Sequence, residues 1–163
     1  MGALCLLLLC GCGGGNGARL TGGDPLEFNV AGLTLRASSG GSVAGAAGAT
    51  TLVLSDQPDT CLAIVYTPAG TATMLTLKVA PQADGNRSAN VLPRKPDPAA
   101  GEAVGGLART AAGRQTGVID AVDGTVSWTV DASGNVGIAA LDIGFSGTAD
   151  RIAASNLFLQ RCR

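Results

Sequence analysis

In the second half of this 163-residue chain the residues best able to do chemistry are carboxylates. Asp120, Asp123 and Asp131 gather around one expected hairpin, and Asp142 and Asp150 around the next. Two carboxyl groups facing each other across a cleft could cleave a glycosidic bond, and a denser cluster could hold Ca²⁺. Aspartates more commonly serve turns and solvent faces, and no loop of alternating acidic residues marks a calcium site here. The chain contains no histidine. That removes the commonest general base, any Ser-His-Asp or Cys-His arrangement, and ordinary zinc or copper sites. Gly144-Phe145-Ser146-Gly147-Thr148 approaches a nucleophile elbow but lacks the second glycine in register, and Ser146 has no base to activate it, so the stretch reads as a turn. No glycine-rich run leads into Lys and then Ser or Thr, so there is no phosphate-binding loop. These absences predict no catalytic residue, no metal and no cofactor.

Cysteine offers a different chemistry. Leu4 to Cys10 is apolar but far short of the roughly 20 residues that span a bilayer. Met1-Gly2 is not a myristoylation signal, because Leu6 stands where Ser or Thr is needed. Leu9-Cys10-Gly11-Cys12, followed by Gly13-Gly14-Gly15-Asn16-Gly17, resembles a bacterial lipobox and its tether, with an aliphatic residue three before the cysteine and a small one just before it. The resemblance implies that residues 1–11 are a lipoprotein signal peptide and that Cys12 becomes the lipidated N-terminus, carrying thioether-linked diacylglycerol and a fatty acyl chain such as palmitate. Residues 12–24 then form a Gly-rich tether and 25–163 the β domain. Gly13 rather than Asp after the lipidated cysteine implies, by analogy with inner-membrane retention signals, export to the outer membrane.

Once the signal is removed, Cys61 and Cys162 remain as a single pair. Outside the cytosol such a pair reads as a disulfide closing a loop of about 100 residues, worth roughly 4 to 5 kcal/mol in the chain-entropy model. The alternative is two free thiols, one near the chain end.

The elements that must position these residues are strands. About 150 residues suit one domain with one core. A formal net charge of −1 with 14% charged residues gives no basic field for nucleic acid, and 3% aromatics leave little for a stacking platform. Short period-two apolar runs broken by Gly, Asp, Asn, Pro and Ser indicate half-buried antiparallel strands. Leu26, Phe28 and Val30 share one phase and Leu33, Leu35 and Ala37 the other, which places a turn or bulge at Ala31-Gly32. Further strands are expected at Thr50 to Ser55, Leu62 to Thr67, Thr73 to Ala80, Val136 to Phe145 and Leu157 to Cys162. Val118 to Val122 and Thr125 to Val130 flank Asp123-Gly124, a type I′ hairpin signal, with Val126, Trp128 and Val130 facing the core. Ser133-Gly134-Asn135 marks another turn. Ser38 to Ala49, nearly all Gly, Ala and Ser, reads as a flexible connection. Asn86 to Gly101, with Pro93, Pro96 and Pro98, reads as a protruding loop whose Arg94 and Lys95 are the candidate binding residues. The expected fold is an all-β antiparallel sandwich or flattened barrel of about eight or nine strands.

The whole layout resembles small lipoproteins of myxobacteria and related bacteria, on the lipobox and tether, on Leu54-Ser55-Asp56 leading to Cys61, and on Asp150-Arg151-Ile152 opening a strand that ends at Cys162. It departs from them in carrying Gln160 and Arg161 where aromatic residues are usual. The resemblance implies a cell-envelope lipoprotein with an internal disulfide and no assigned activity. The leading expectation is therefore a non-enzymatic, lipid-anchored envelope protein, structural or ligand-binding, partnered by a membrane and an envelope protein or glycan and not by nucleic acid. One alternative is a carbohydrate-active hydrolase or accessory domain using the clustered aspartates. Another is an inhibitor or adaptor docking through Pro93 to Pro98.

Overall fold

The structure is a computed structural model that describes Leu20 and residues 25–66, 68–81 and 87–163. The expected signal peptide and the Cys12 lipidation site lie outside the described residues. Ten strands and one short helix follow in the order β1 (Leu26–Val30), β2 (Leu33–Ala37), β3 (Ser39–Ala44), β4 (Thr50–Ser55), α1 (Thr60–Val65), β5 (Thr71–Val79), β6 (Ser88–Val91), β7 (Glu102–Ala111), β8 (Arg114–Val130), β9 (Val136–Phe145) and β10 (Arg151–Arg161). β1 and β2 form a separate hairpin, and the rest close a barrel in the order β10-β3-β4-β5-β7-β6-β8-β9. Of the two shapes expected, the barrel is the one formed. Closure pairs every strand of the barrel on both sides, the way barrels avoid open edges.

Most neighbours are antiparallel, as local hairpins require. Two contacts are parallel: β6 with β7, and β10 with β3, where the barrel shuts. The interior is filled by Leu35, Leu75, Leu77, Leu107, Ile138, Ile143, Ile152, Leu157 and Leu159, all fully buried, as eight strands leave room for side chains and little else. The β1–β2 hairpin adds Val30, Leu35 and Ala37 to this core. Ala31 and Gly32, both at positive φ, make its turn where the phase change predicts one.

Four local expectations are corrected. Asp123-Gly124 does not turn the chain: β8 runs unbroken from Arg114 to Val130, and the two residues pair with Gly144 and Ile143 of β9 just after a bulge at Val122, where the register shifts between Ala121 and Asp123. Gly124 sits at φ +115°, and a Cβ there would fall 1.9 Å from the Asp142 carbonyl oxygen, so its freedom serves close strand approach instead of reversal. The hairpin is made upstream by Ala112 and Gly113, at φ +49° and +74°. The stretch from Leu62 was expected to be a strand but is α1, because Asp59 caps it by accepting a hydrogen bond from the Leu62 N–H at 3.0 Å. Ser38 to Ala49 is not a loose connection. Its core is β3, a buried strand whose Gly40 and Gly41 lie too close to Leu20, Leu159 and Cys162 for any side chain. The proline segment contains β6, which buries Ala89 and Val91.

Trp128 is buried beside Val126 as its strand phase predicts, but Val130 is exposed. The second register shift, between Ser127 and Trp128, and the approaching strand end break the alternation there.

Candidate functional site

The structure distributes the five aspartates among separate structural tasks. Asp131 opens the β8–β9 turn: one carboxylate oxygen accepts from the Ser133 and Asn135 backbone N–H groups at 2.8 and 2.9 Å, and the other from the Asn135 side-chain amide. The amide bond to Asn135, followed by those backbone donors, holds its pKa below the usual carboxylate value. Asp150 pins the tip of the β1–β2 hairpin, accepting from the Ala31 N–H at 2.8 Å and from the Thr148 hydroxyl at 2.8 Å, and these two donors lower its pKa in that order.

Asp123 and Asp142 are the pair that could have formed a catalytic dyad. They are joined by Arg151, which donates from Nε to Asp142 at 2.8 Å and from Nη1 to Asp123 at 2.7 Å. The Asp142 and then the Asp123 hydrogen bonds raise the affinity of the Arg151 guanidinium for its proton. Gly144 makes space for this cluster, since a Cβ there would lie 2.6 Å from both Arg151 Nη1 and an Asp123 oxygen. A glycosidase dyad needs open space between its carboxyl groups for sugar or water. Here a guanidinium occupies it. Nothing in the sequence had singled out Arg151 for this role, although an arginine opening a strand opposite Gly144 is its signature in retrospect.

Arg94 and Lys95, the candidate binding residues, are folded back onto the barrel. Lys95 donates to the Glu102 carboxylate, and this bond, with one from the Ala99 N–H, lowers the Glu102 pKa. Arg94 lies 3.6 Å from Asp120. Both cations line a shallow pocket of about 270 Å³ with Gln115 and Asp120, and its lining contains no second carboxylate. The site is a pair of ion pairs and not a free basic patch.

Cys61 and Cys162 are bonded. The bond ties α1 to the end of β10, beside β3. Ser39 and Thr60 share a buried hydroxyl–hydroxyl hydrogen bond under the helix, and the Cys162 N–H reaches the Ser42 carbonyl at 2.8 Å. The opposite side of α1 is apolar and exposed, with Leu62, Val65 and Tyr66 at helical spacing. This stripe was hidden in the sequence by its reading as a strand; Pro58-Asp59-Thr60, a helix start with Asp as cap, was the available signal.

Among the described residues no group of His, Cys, Asp and Glu could hold a metal ion, and no helix is long and apolar enough to cross a membrane. A closed eight-stranded barrel with a packed interior, whose surface side-chain carboxylates among the described residues are engaged by the chain's own donors, defines the class. Comparisons with protein-family models, curated proteins and solved structures find no match.

Proposed function

We propose that the chain is a non-enzymatic lipoprotein of the bacterial cell envelope, anchored through an acylated Cys12, sited at the outer membrane and displaying its barrel as a structural or binding module. The observation that carries the non-enzymatic part is Arg151, which fills the space between Asp123 and Asp142. The hydrolase reading needs that space. The disulfide supports an oxidising compartment, where such bonds persist. Leu20, inside the 12–24 segment expected to be tether, already belongs to the folded unit: its carbonyl accepts the Phe158 N–H at 3.1 Å and its side chain is buried in the core, eight positions after Cys12. The adaptor reading has less support, since the cations of its loop are engaged by Glu102 and Asp120.

The test is metabolic labelling with an alkyne palmitate in a Gram-negative host. The wild-type chain is expected to take up label and fractionate with outer membrane, and C12A to lose both. Label retained by C12A overturns the reading.

A further inference from the structure

We propose that α1 is a membrane-contacting element, whose Leu62, Val65 and Tyr66 side chains lie in the interface of the same bilayer that holds the Cys12 lipid. The inference rests on the anchor reading above. Its first support is the stripe itself. Leu62 is 56% exposed, Val65 63% and Tyr66 67%, in a helix, TCLAIV, that contains no charged residue. A soluble surface scatters single apolar residues but seldom aligns three on one turn. The stripe is continued by Pro58, Pro68 and Ala69, which with Leu62 and Tyr66 line a shallow depression of about 300 Å³.

The second support is where the chain enters the barrel. Leu20 packs against Gly40, and the next residue of β3, Gly41, packs on its other face against Cys162 and Ile64 of α1. The tether's point of arrival and the apolar helix thus lie on opposite faces of one strand, at one place on the barrel. Leu20 follows Cys12 by eight Cα-to-Cα steps, which reach at most about 29 Å. A lipid at Cys12 therefore keeps this part of the barrel within about 29 Å of the headgroups.

Charge is the third support. Arg163, which is exposed, follows Cys162, and Cys162 is bonded to Cys61 one residue before Leu62, whereas the Arg161 side chain lies over Gly134 at the β8–β9 turn. Against the one carboxylate that lines the depression, Asp59, which is engaged in capping α1, a cation beside an apolar stripe suits an anionic lipid surface, and a tyrosine at the edge suits the headgroup level. A second copy of the chain would cover the stripe but would give no role to the adjacent entry of the tether.

The test uses the full lipidated chain in vesicles of phosphatidylethanolamine and phosphatidylglycerol with brominated acyl chains. Y66W adds an indole at the stripe, while buried Trp128 serves as an internal reference far from the bromines. V65W repeats the measurement at a second exposed position. An interfacial helix sits within about 5 to 10 Å of the headgroup–acyl boundary, so the added emission is expected to fall about twofold or more in brominated vesicles. Adding L62E should abolish that quenching while flotation with vesicles persists. If Y66W and V65W chains float and carry the Cys12 lipid but show no bromine quenching, the inference fails and the anchor stands. Emission shifted to the blue without quenching, in a chain of dimeric mass, assigns the stripe to a second copy and also overturns it. A chain that neither floats nor carries lipid overturns the anchor reading, and the inference falls with it.

Discussion

The barrel is held shut in two unlike ways on the two sides of β10. Toward β9 it makes a long antiparallel ladder, eight register pairs from Arg151↔Gly144 to Leu159↔Val136, and β9 continues into nine more with β8. Toward β3 it makes two parallel pairs, Gln160↔Gly41 and Arg161↔Ser42. The wall is a matter of hydrogen bonds and alternating apolar side chains. At the seam a covalent bond, a capped helix and two glycines that make room for neighbouring side chains stand in for the missing ladder. Closing a barrel between a strand near the start of the chain and one at its end is the least local pairing in the fold, and loop-closure entropy opposes it. A disulfide spanning 101 residues offsets that cost where hydrogen bonds are fewest.

The sharpest way to break this contrast is to remove the seam's bond. C61A/C162A is expected to lower unfolding free energy by about 4 to 5 kcal/mol in urea titration, given the 101-residue separation. A loss under about 1 kcal/mol would show that the short ladder and the helix suffice. In the wall, Trp128→Ala removes a buried indole next to Val126 and is expected to cost about 3 to 5 kcal/mol. A variant that melts within a degree or two of the parent would mean the wall does not depend on that packing. Gly41→Val tests the small residues of the seam. Its Cβ would stand 2.8 Å from Cys162 Sγ and 3.1 Å from Thr60 Cγ2, and overpacking of this kind costs about 1 to 3 kcal/mol. Slower formation of the Cys61–Cys162 bond in an oxidative refolding assay should accompany it.

The two regions also differ in how far they can be read from residues alone. Strand class, the Ala31-Gly32 turn, the limits of β4 and β9 and the burial of Trp128 follow from period-two patterning, because the wall is built from alternation. The seam carries no such pattern. Ser38 to Ala49 is too small and uniform to show a face, and its burial is set by Leu20, Leu159 and Cys162, which are distant in sequence. Asp123-Gly124 shows the converse. Its local preference for a turn is overridden because β9 pairs across it and Arg151 engages the aspartate. The cysteine pairing was legible from compartment and count, whereas the Arg151 cluster and the stripe on α1 exist only once strands and helix are placed.

A smaller effect separates ionic from apolar contributions within the wall. Arg151→Met should cost less than any of the changes above, since the side chain is 41% exposed and solvent screens both of its ion pairs. The cost should shrink further in 1 M salt, where the screening length is about 3 Å. A loss of several kcal/mol, insensitive to salt, would make the cluster an essential brace and would weaken the claim that ladder and core carry the wall.

Acid should distinguish wall from seam with the smallest change of all. Asp131 and Asp150, and Glu102 at the start of β7, have pKa values lowered in the folded state by the donors around them. A carboxyl group whose folded pKa lies below its unfolded one contributes stability that is fully present above the unfolded value, near pH 4, and is lost as pH falls through the folded value. Asp131 and Asp150 are exposed and Glu102 is half-buried, so solvent screening keeps each loss small. It should appear first at the β8–β9 turn, where protonating Asp131 removes the acceptor for the Ser133 and Asn135 N–H groups. The Cys61–Cys162 bond takes up no proton, and the Cys162 N–H is bonded to the Ser42 carbonyl, which titrates with neither. Hydrogen exchange, corrected for its intrinsic pH dependence, should therefore show protection at Ser133 and Asn135 falling as pH drops below about 4 while Cys162 keeps its own. D131N should remove that pH dependence at the turn. If Cys162 loses protection together with Ser133, the two sides of β10 open as one unit, and the division between a hydrogen-bonded wall and a covalent seam does not describe how this barrel comes apart.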